Sequence, residues 1–190
     1  MKTTTKAIVV ALAVGAMGAT VAGGVQAGPA QDVARILAAG LDAEGRQDGP
    51  ALLENAQALQ RSGAHSDGGD DLARAWIREA IHLGVDPGPD QIWRGRTLGP
   101  AYRNGRVIGH GVFRTRQTFN AGEKADIAVV PTQGGALGLD VEDGDGKSIC
   151  SVGPSTRDLG CDWVPAFTGG SAIAVHNDAE DAQSFYIVLN

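Results

Sequence analysis

The sequence predicts an α+β protein in which a short N-terminal helical region precedes an antiparallel β-sandwich. Three observations predict it. Apolar residues recur at helical spacing as far as about residue 93, they alternate with polar ones from about residue 110 onwards, and clusters of Gly, Asn and Asp punctuate that second part at hairpin spacing.

Residues 1–27 read as a cleavable export signal. Lys2 and Lys6 make a basic start, residues 7–22 carry no charge, and Val25-Gln26-Ala27 places small residues where a signal peptidase cuts, leaving Gly28 as the first mature residue. A membrane anchor is the competing reading, but a spanning helix needs ~20 strongly apolar residues, and this stretch is mostly Ala, Val and Gly. No Cys follows the cut, so the usual acceptor for a lipoprotein anchor is missing. The expectation is a periplasmic or secreted protein with no membrane span in its mature form.

Removal of the signal leaves one domain's worth of chain, or one compact domain with a small helical piece. It also removes Lys2 and Lys6 and no acid, so the mature chain is more acidic than the full sequence, whose net charge is -6. Such a chain has no surplus of Lys and Arg to neutralise phosphates, which excludes nucleic acid as an expected partner.

Residues 28–95 carry three helical patterns. Val33, Ile36, Leu37 and Leu41 share one face and end near Gly45. Asp48 is placed as an N-cap with Pro50 in the first turn, and Leu52, Leu53, Ala56 and Leu59 run on to Gly63. Leu72, Trp76, Ile77, Ala80 and Ile81 form the third, stopping at Gly84 with Pro87 beyond. The polar cluster of His65, Asp67, Asp70 and Asp71 before it suits a helix's free N–H groups and dipole, with metal binding as the alternative. Helices this short bury little by themselves and should lean on the other half or on a partner.

Residues 96–109 are expected to form an arginine-rich linker and first strand, and residues 110–190 the sandwich. Phe113 and Phe119 share a strand parity, followed by Ile127 and Val129, by Leu137, Leu139 and Val141 with Asp140 and Glu142 opposite, by Ile173 and Val175, and by Phe185, Ile187 and Leu189. Alternation of this kind sets one face of each strand on a core and leaves the other in water. Seven or eight short strands with so few helix signals fit a sandwich.

Cys150 and Cys161 both fall in the exported part, where an isolated close pair is most simply a disulfide. Closing that loop stabilises the fold by roughly 3 kcal/mol in the chain-entropy model. Zinc is the rival, but it needs further ligands at short spacing and only His176 is near. Trp163, two residues on from Cys161, is expected to pack on that bridge, with sugar stacking as the alternative.

Gln117-Thr118-Phe119-Asn120-Ala121-Gly122-Glu123, Leu137-Gly138-Leu139-Asp140-Val141-Glu142-Asp143-Gly144-Asp145-Gly146 and the closing Phe185-Tyr186-Ile187-Val188-Leu189-Asn190 resemble the bacterial pre-peptidase C-terminal-like domain. The resemblance covers under half of the chain and lies in turn and strand pattern, without a catalytic signature. It implies a jelly-roll-like β-sandwich, of a kind found beside secreted enzymes and as a non-catalytic module by itself.

Two constellations stand out as candidate sites. Residues 91–122 hold Arg94, Arg96, Arg103, Arg106, Arg114 and Arg116 and no acid, which concentrates positive potential in an acidic chain. Arg94, Arg96, Arg114 and Arg116 are the candidate anion-binding residues, for an anionic glycan or an acidic envelope protein, with Trp93 and Tyr102 able to stack beside them. The alternative is that these arginines pair internally and fasten the two halves together. Asp140, Asp143 and Asp145 are a candidate calcium site, since closely spaced carboxylates on a turn supply hard oxygen ligands. A plain hairpin turn explains the same residues, and no other cofactor is expected.

The sequence contains no nucleophile elbow, no His-Glu-x-x-His and no phosphate-binding glycine loop. The expectation is therefore an exported, non-enzymatic binding or accessory protein of the bacterial envelope. The alternative is a small secreted hydrolase with its site between the halves, using His82, His110 and nearby acids.

Overall fold

The computed structural model describes residues 28–69, 71–88, 99–132 and 134–190. Three helices come first: α1 (Pro29–Gly45), α2 (Gly49–Ser62) and, after the two-residue strand β1 (His65–Ser66), α3 (Leu72–His82). Eight strands follow: β2 (Ala101–Val107), β3 (Gly111–Phe119), β4 (Ala125–Pro131), β5 (Leu137–Glu142), β6 (Ser148–Ser155), β7 (Leu159–Trp163), β8 (Gly169–Asn177) and β9 (Gln183–Leu189).

The helix ends obey local chemistry. Asp48 accepts a hydrogen bond from the Ala51 amide at 3.1 Å, and Gly63 closes α2 in the left-handed conformation at φ 71°. Asp71 accepts from the Arg74 amide at 3.2 Å and so caps α3. Helix α1 follows Gly28 as its N-cap, a residue with no side chain to cap it. Its free amides are met instead by Asp126 of β4, which accepts from the Ala30 amide at 2.8 Å and the Gln31 amide at 3.3 Å.

The strands form two sheets, in the orders β1-β2-β9-β4-β7 and β3-β8-β5-β6. All pairings are antiparallel except the short β1–β2 contact. Ile127, Val129, Leu137, Leu139, Val141, Ile173, Val175, Phe185 and Ile187 fill the space between the sheets. Phe185 needs room to lie flat there. A Cβ on its register partner Gly105 would meet the ring at 2.5 Å, and Phe113 meets it edge-on at 5.3 Å.

A second apolar layer lies on the other side of the first sheet. Val33 and Leu37 of α1, Leu52 and Leu59 of α2 and Trp76 of α3 cluster with Ala128 and Val130 of β4, Val188 of β9 and Tyr102 of β2. Trp76 lies against Gly40, where any Cβ would overlap its ring. The expectation that strands turn their second face to water therefore fails for β4, where Ala125 through Val130 are all buried. The reason is α1, which packs across β4 and β9 and converts an outer face into an inner one.

Cys150 on β6 and Cys161 on β7 form the expected disulfide, with Cα atoms 6.3 Å apart. It ties an edge strand of one sheet to an edge strand of the other. Trp163 meets Phe119 edge-on at 4.8 Å and packs against the same inter-sheet core as Cys150. Replacing both cysteines by Ala should cost roughly 3 kcal/mol of stability while keeping the strand content. Equilibrium urea unfolding beside far-ultraviolet circular dichroism measures both.

Candidate functional site

The helices cover only the first sheet, so the outer face of the second, formed by β3, β8 and β5, is open among the described residues. Register fixes what that face shows. One row reads Arg114, Ala174, Asp140; the next reads Arg116, Ala172, Glu142; and on the far side of the first lie Val112, His176 and Gly138. Neighbouring strands are ~4.8 Å apart and alternate residues ~6.7 Å apart. Two arginines thus face two acids across an alanine floor one strand wide, in a trough of about 420 Å³.

Neither Arg114, Arg116 nor Glu142 makes a side-chain hydrogen bond or ion pair among the described residues. Each oxygen of Asp140 has a polar neighbour, and only the serine contact has hydrogen-bond geometry. Its Oδ1 accepts from the Ser151 hydroxyl at 2.6 Å, and its Oδ2 lies 2.7 Å from His176 Nε2. Ser, Asp and His therefore meet here, in an order different from that of a Ser-His-Asp relay. A nucleophilic serine needs the imidazole beside its hydroxyl and the carboxylate behind the imidazole. Here the carboxylate stands between the two, which makes it a positioned acceptor.

The sequence-predicted residues are distributed as follows. Arg94, Arg96 and Trp93 lie outside the described residues. Arg114 and Arg116 are on the open face, on the side of the sandwich away from the helices, so these two do not fasten the halves together. Arg103 does bridge layers, since its Nη2 donates to Thr115 Oγ1 at 3.2 Å. Tyr102 cannot stack on a ligand: it is 2% exposed, and its hydroxyl accepts the Leu72 amide at the start of α3. That burial also raises its pKa.

Asp140, Asp143 and Asp145 are not gathered into one site. Asp140 faces the trough, whereas Asp143 and Asp145 sit in the β5–β6 turn. There Asp143 Oδ1 accepts from the Asp145 amide at 3.0 Å and the Lys147 amide at 2.9 Å, and Gly146 takes φ 80°. Among the described residues no group of three or more His, Cys, Asp or Glu is arranged to hold a metal. His82, in the last turn of α3, and His110, in the β2–β3 turn at φ 51°, are both exposed and without a side-chain partner among the described residues.

Sequence reasoning missed Ser151, His176 and the floor alanines. A signal for the floor existed in Ser171-Ala172-Ile173-Ala174-Val175-His176, where the outward parity carries alanine in place of the usual charged residue.

Fold and site together define a helix-backed antiparallel β-sandwich with one charged sheet face left open. No protein-family model matches the chain, and no curated protein matches it in sequence. Among solved structures, the sandwich is similar to the pre-peptidase C-terminal domain of a Bacillus anthracis collagenase, at 11% identity and TM-score 0.41 over 47% of this chain and 87% of that one. It is also similar to the Yersinia pseudotuberculosis-derived mitogen, at 14% and 0.38 over 48% and 85%. A periplasmic inhibitor of g-type lysozyme from Aeromonas hydrophila is similar at 12% and 0.38 over 52% and 91%. The domain type that the turn and strand pattern resembles is thus among the similar folds.

The turn role of Asp143 is directly testable. Asp143→Asn keeps a side-chain acceptor and should leave stability within about 0.5 kcal/mol, whereas Asp143→Ala strands two amides and should cost about 1 kcal/mol. Urea midpoints of the two variants make the comparison.

Proposed function

We propose that this is an exported, non-enzymatic accessory protein of the bacterial envelope that binds a carboxylate-bearing glycan on the open face of its second sheet. The observation that carries the reading is the pair of arginines, Arg114 and Arg116, without a side-chain partner among the described residues and facing Asp140 and Glu142 across Ala172 and Ala174. A guanidinium offers a planar fork that matches a carboxylate. The opposite wall offers acceptors to sugar hydroxyls, and the alanines let a flat ring approach the sheet. No helix among the described residues is long and apolar enough to cross a membrane. Export is supported by the signal-like residues 1–27 and by the Cys150–Cys161 disulfide, a bond that persists in oxidising compartments. A binding role is supported by the Ser151–Asp140–His176 order, which does not place the imidazole beside the serine hydroxyl.

The test is calorimetry of the signal-free protein with oligogalacturonate as the carboxylated glycan and a Glu-rich peptide as the competing partner. Arg114→Ser and Arg116→Ser should each weaken glycan binding about tenfold, one lost charged contact being worth about 1.4 kcal/mol. Their melting temperature should stay unchanged, because exposed unpaired charges add little to stability. Binding should also weaken as salt shortens the screening length. Stability lost without a change in binding, or tighter binding of the peptide, would overturn the proposal.

A further inference from the structure

We infer that removal of the signal completes the fold, because the α-amino group it releases on Gly28 is the counter-ion of buried Asp126. The inference rests on the export reading with cleavage after Ala27, and it is independent of what the open face binds. Asp126 is 0% exposed. Its Oδ2 takes the Ala30 and Gln31 amides, and its Oδ1 takes Gln31 Nε2 at 3.3 Å. All of these donors are neutral. Among the described residues no cation pairs with Asp126, since Lys124, the nearest one in sequence, is paired at 3.2 Å with Asp162. Asp162 adds a second negative charge on the same side, linked to Gln31 Nε2 at 3.4 Å. A buried carboxylate served only by neutral donors retains a large desolvation cost.

Gly28 is where that cost can be met. A Cβ on it would overlap the Asp126 carboxylate, so its Cα lies against the carboxylate, and the nitrogen is bonded to that Cα. Before cleavage that nitrogen is a neutral amide. After cleavage it is an ammonium, held on the positive end of α1 with an anion beside it to offset the dipole. The Gly28 carbonyl is fixed as well, accepting the Asp32 amide at 3.0 Å in the first turn of α1. Cleavage would therefore pin the start of α1 to β4, and the uncut chain would fold less firmly than its product, which suits a chain exported unfolded.

The sign with pH follows. An α-amino group of pKa ~8 that gains an anionic partner has its folded pKa raised. Its contribution to stability is then complete below about pH 8 and disappears as pH rises through the folded value. Burial likewise raises the pKa of Asp126 when no ammonium is present, chiefly by desolvation and against the amide hydrogen bonds.

The experiment purifies the exported protein, identifies its first residue by mass, and acetylates its α-amine in urea at about pH 7, where the unfolded α-amine of pKa ~8 reacts and Lys124 and Lys147 stay protonated. Free and acetylated proteins are made with Asp126 and with Asp126→Asn, and their urea unfolding is followed from pH 6 to pH 10. One unit of pKa shift corresponds to a tenfold change. Acetylation should therefore lower the folded-to-unfolded ratio about tenfold with Asp126 and by little with Asp126→Asn. The free-amine Asp126 protein should lose about the same factor between pH 6 and pH 10, most of it above pH 8. Should Asp126→Asn not fold, the pH profiles of free and acetylated protein decide alone. A first residue other than Gly28, equal acetylation effects in both backgrounds, or identical pH profiles would overturn the inference. Unchanged oligogalacturonate binding in the acetylated protein keeps this result separate from the function of the open face.

Discussion

The burial of β4 on both faces is the constraint from which the remaining architecture follows. Ile127 and Val129 enter the core between the sheets, while Ala128 and Val130 enter the core under the helices. One strand therefore belongs to two apolar layers, and neither layer forms without it. Three short helices that bury little by themselves gain a floor, and a two-sheet sandwich becomes a three-layer body. The small side chain of Ala128 suits this role, since a bulky residue there would hold α1 away from the sheet. Because the helices cover only one sheet, the outer face of the other is left open among the described residues, and the position of the trough is decided before any of its charges is considered.

Most of this was legible in the sequence, and the parts that were not share one cause. The caps at Asp48 and Asp71 and the stop at Gly63 all follow from local hydrogen bonding. The cap at Asp71 falls within the polar cluster the sequence assigns to that helix start, and the cap at Asp48 and the stop at Gly63 fall where the sequence places them. So do the inward parities of β3, β4, β5, β8 and β9, because a period of two needs only neighbouring residues to read. What the sequence withheld is the partner of each outward face. Asp126 and Val130 look like any outward positions until α1 is known to lie on them, and the burial of Tyr102 depends on the start of α3. β1 was missed for the same reason, since its two residues are a strand only through their pairing with Ala101 and Tyr102.

The candidate site divides in the same way. Arg114 and Arg116 stood out by composition, and Asp140 by its turn-rich surroundings. Their meeting across Ala172 and Ala174 is a fact of register between strands far apart in sequence. Grouping by proximity along the chain put Asp140 with Asp143 and Asp145, whereas the sheet puts it with Ser151 and His176. It also put Arg114 and Arg116 at the joint between the halves, whereas the alternation of β3 carries them to the opposite side of the sandwich. Sequence neighbours share a turn, but strand neighbours share a face, and recognition needs a face.

Charge is used in two different regimes as a result. At Asp126 a single buried carboxylate is held by the first amides of α1 and by Gln31, so its partners matter to how firmly α1 docks. On the open face, solvent screens each charge, and four of them together add little to the fold. That is also why they are available. A fold whose stability resides in β4, the two apolar cores and one cross-sheet disulfide has no need of Arg114, Arg116 or Glu142, and residues the fold does not need are the ones a ligand can occupy without cost to it.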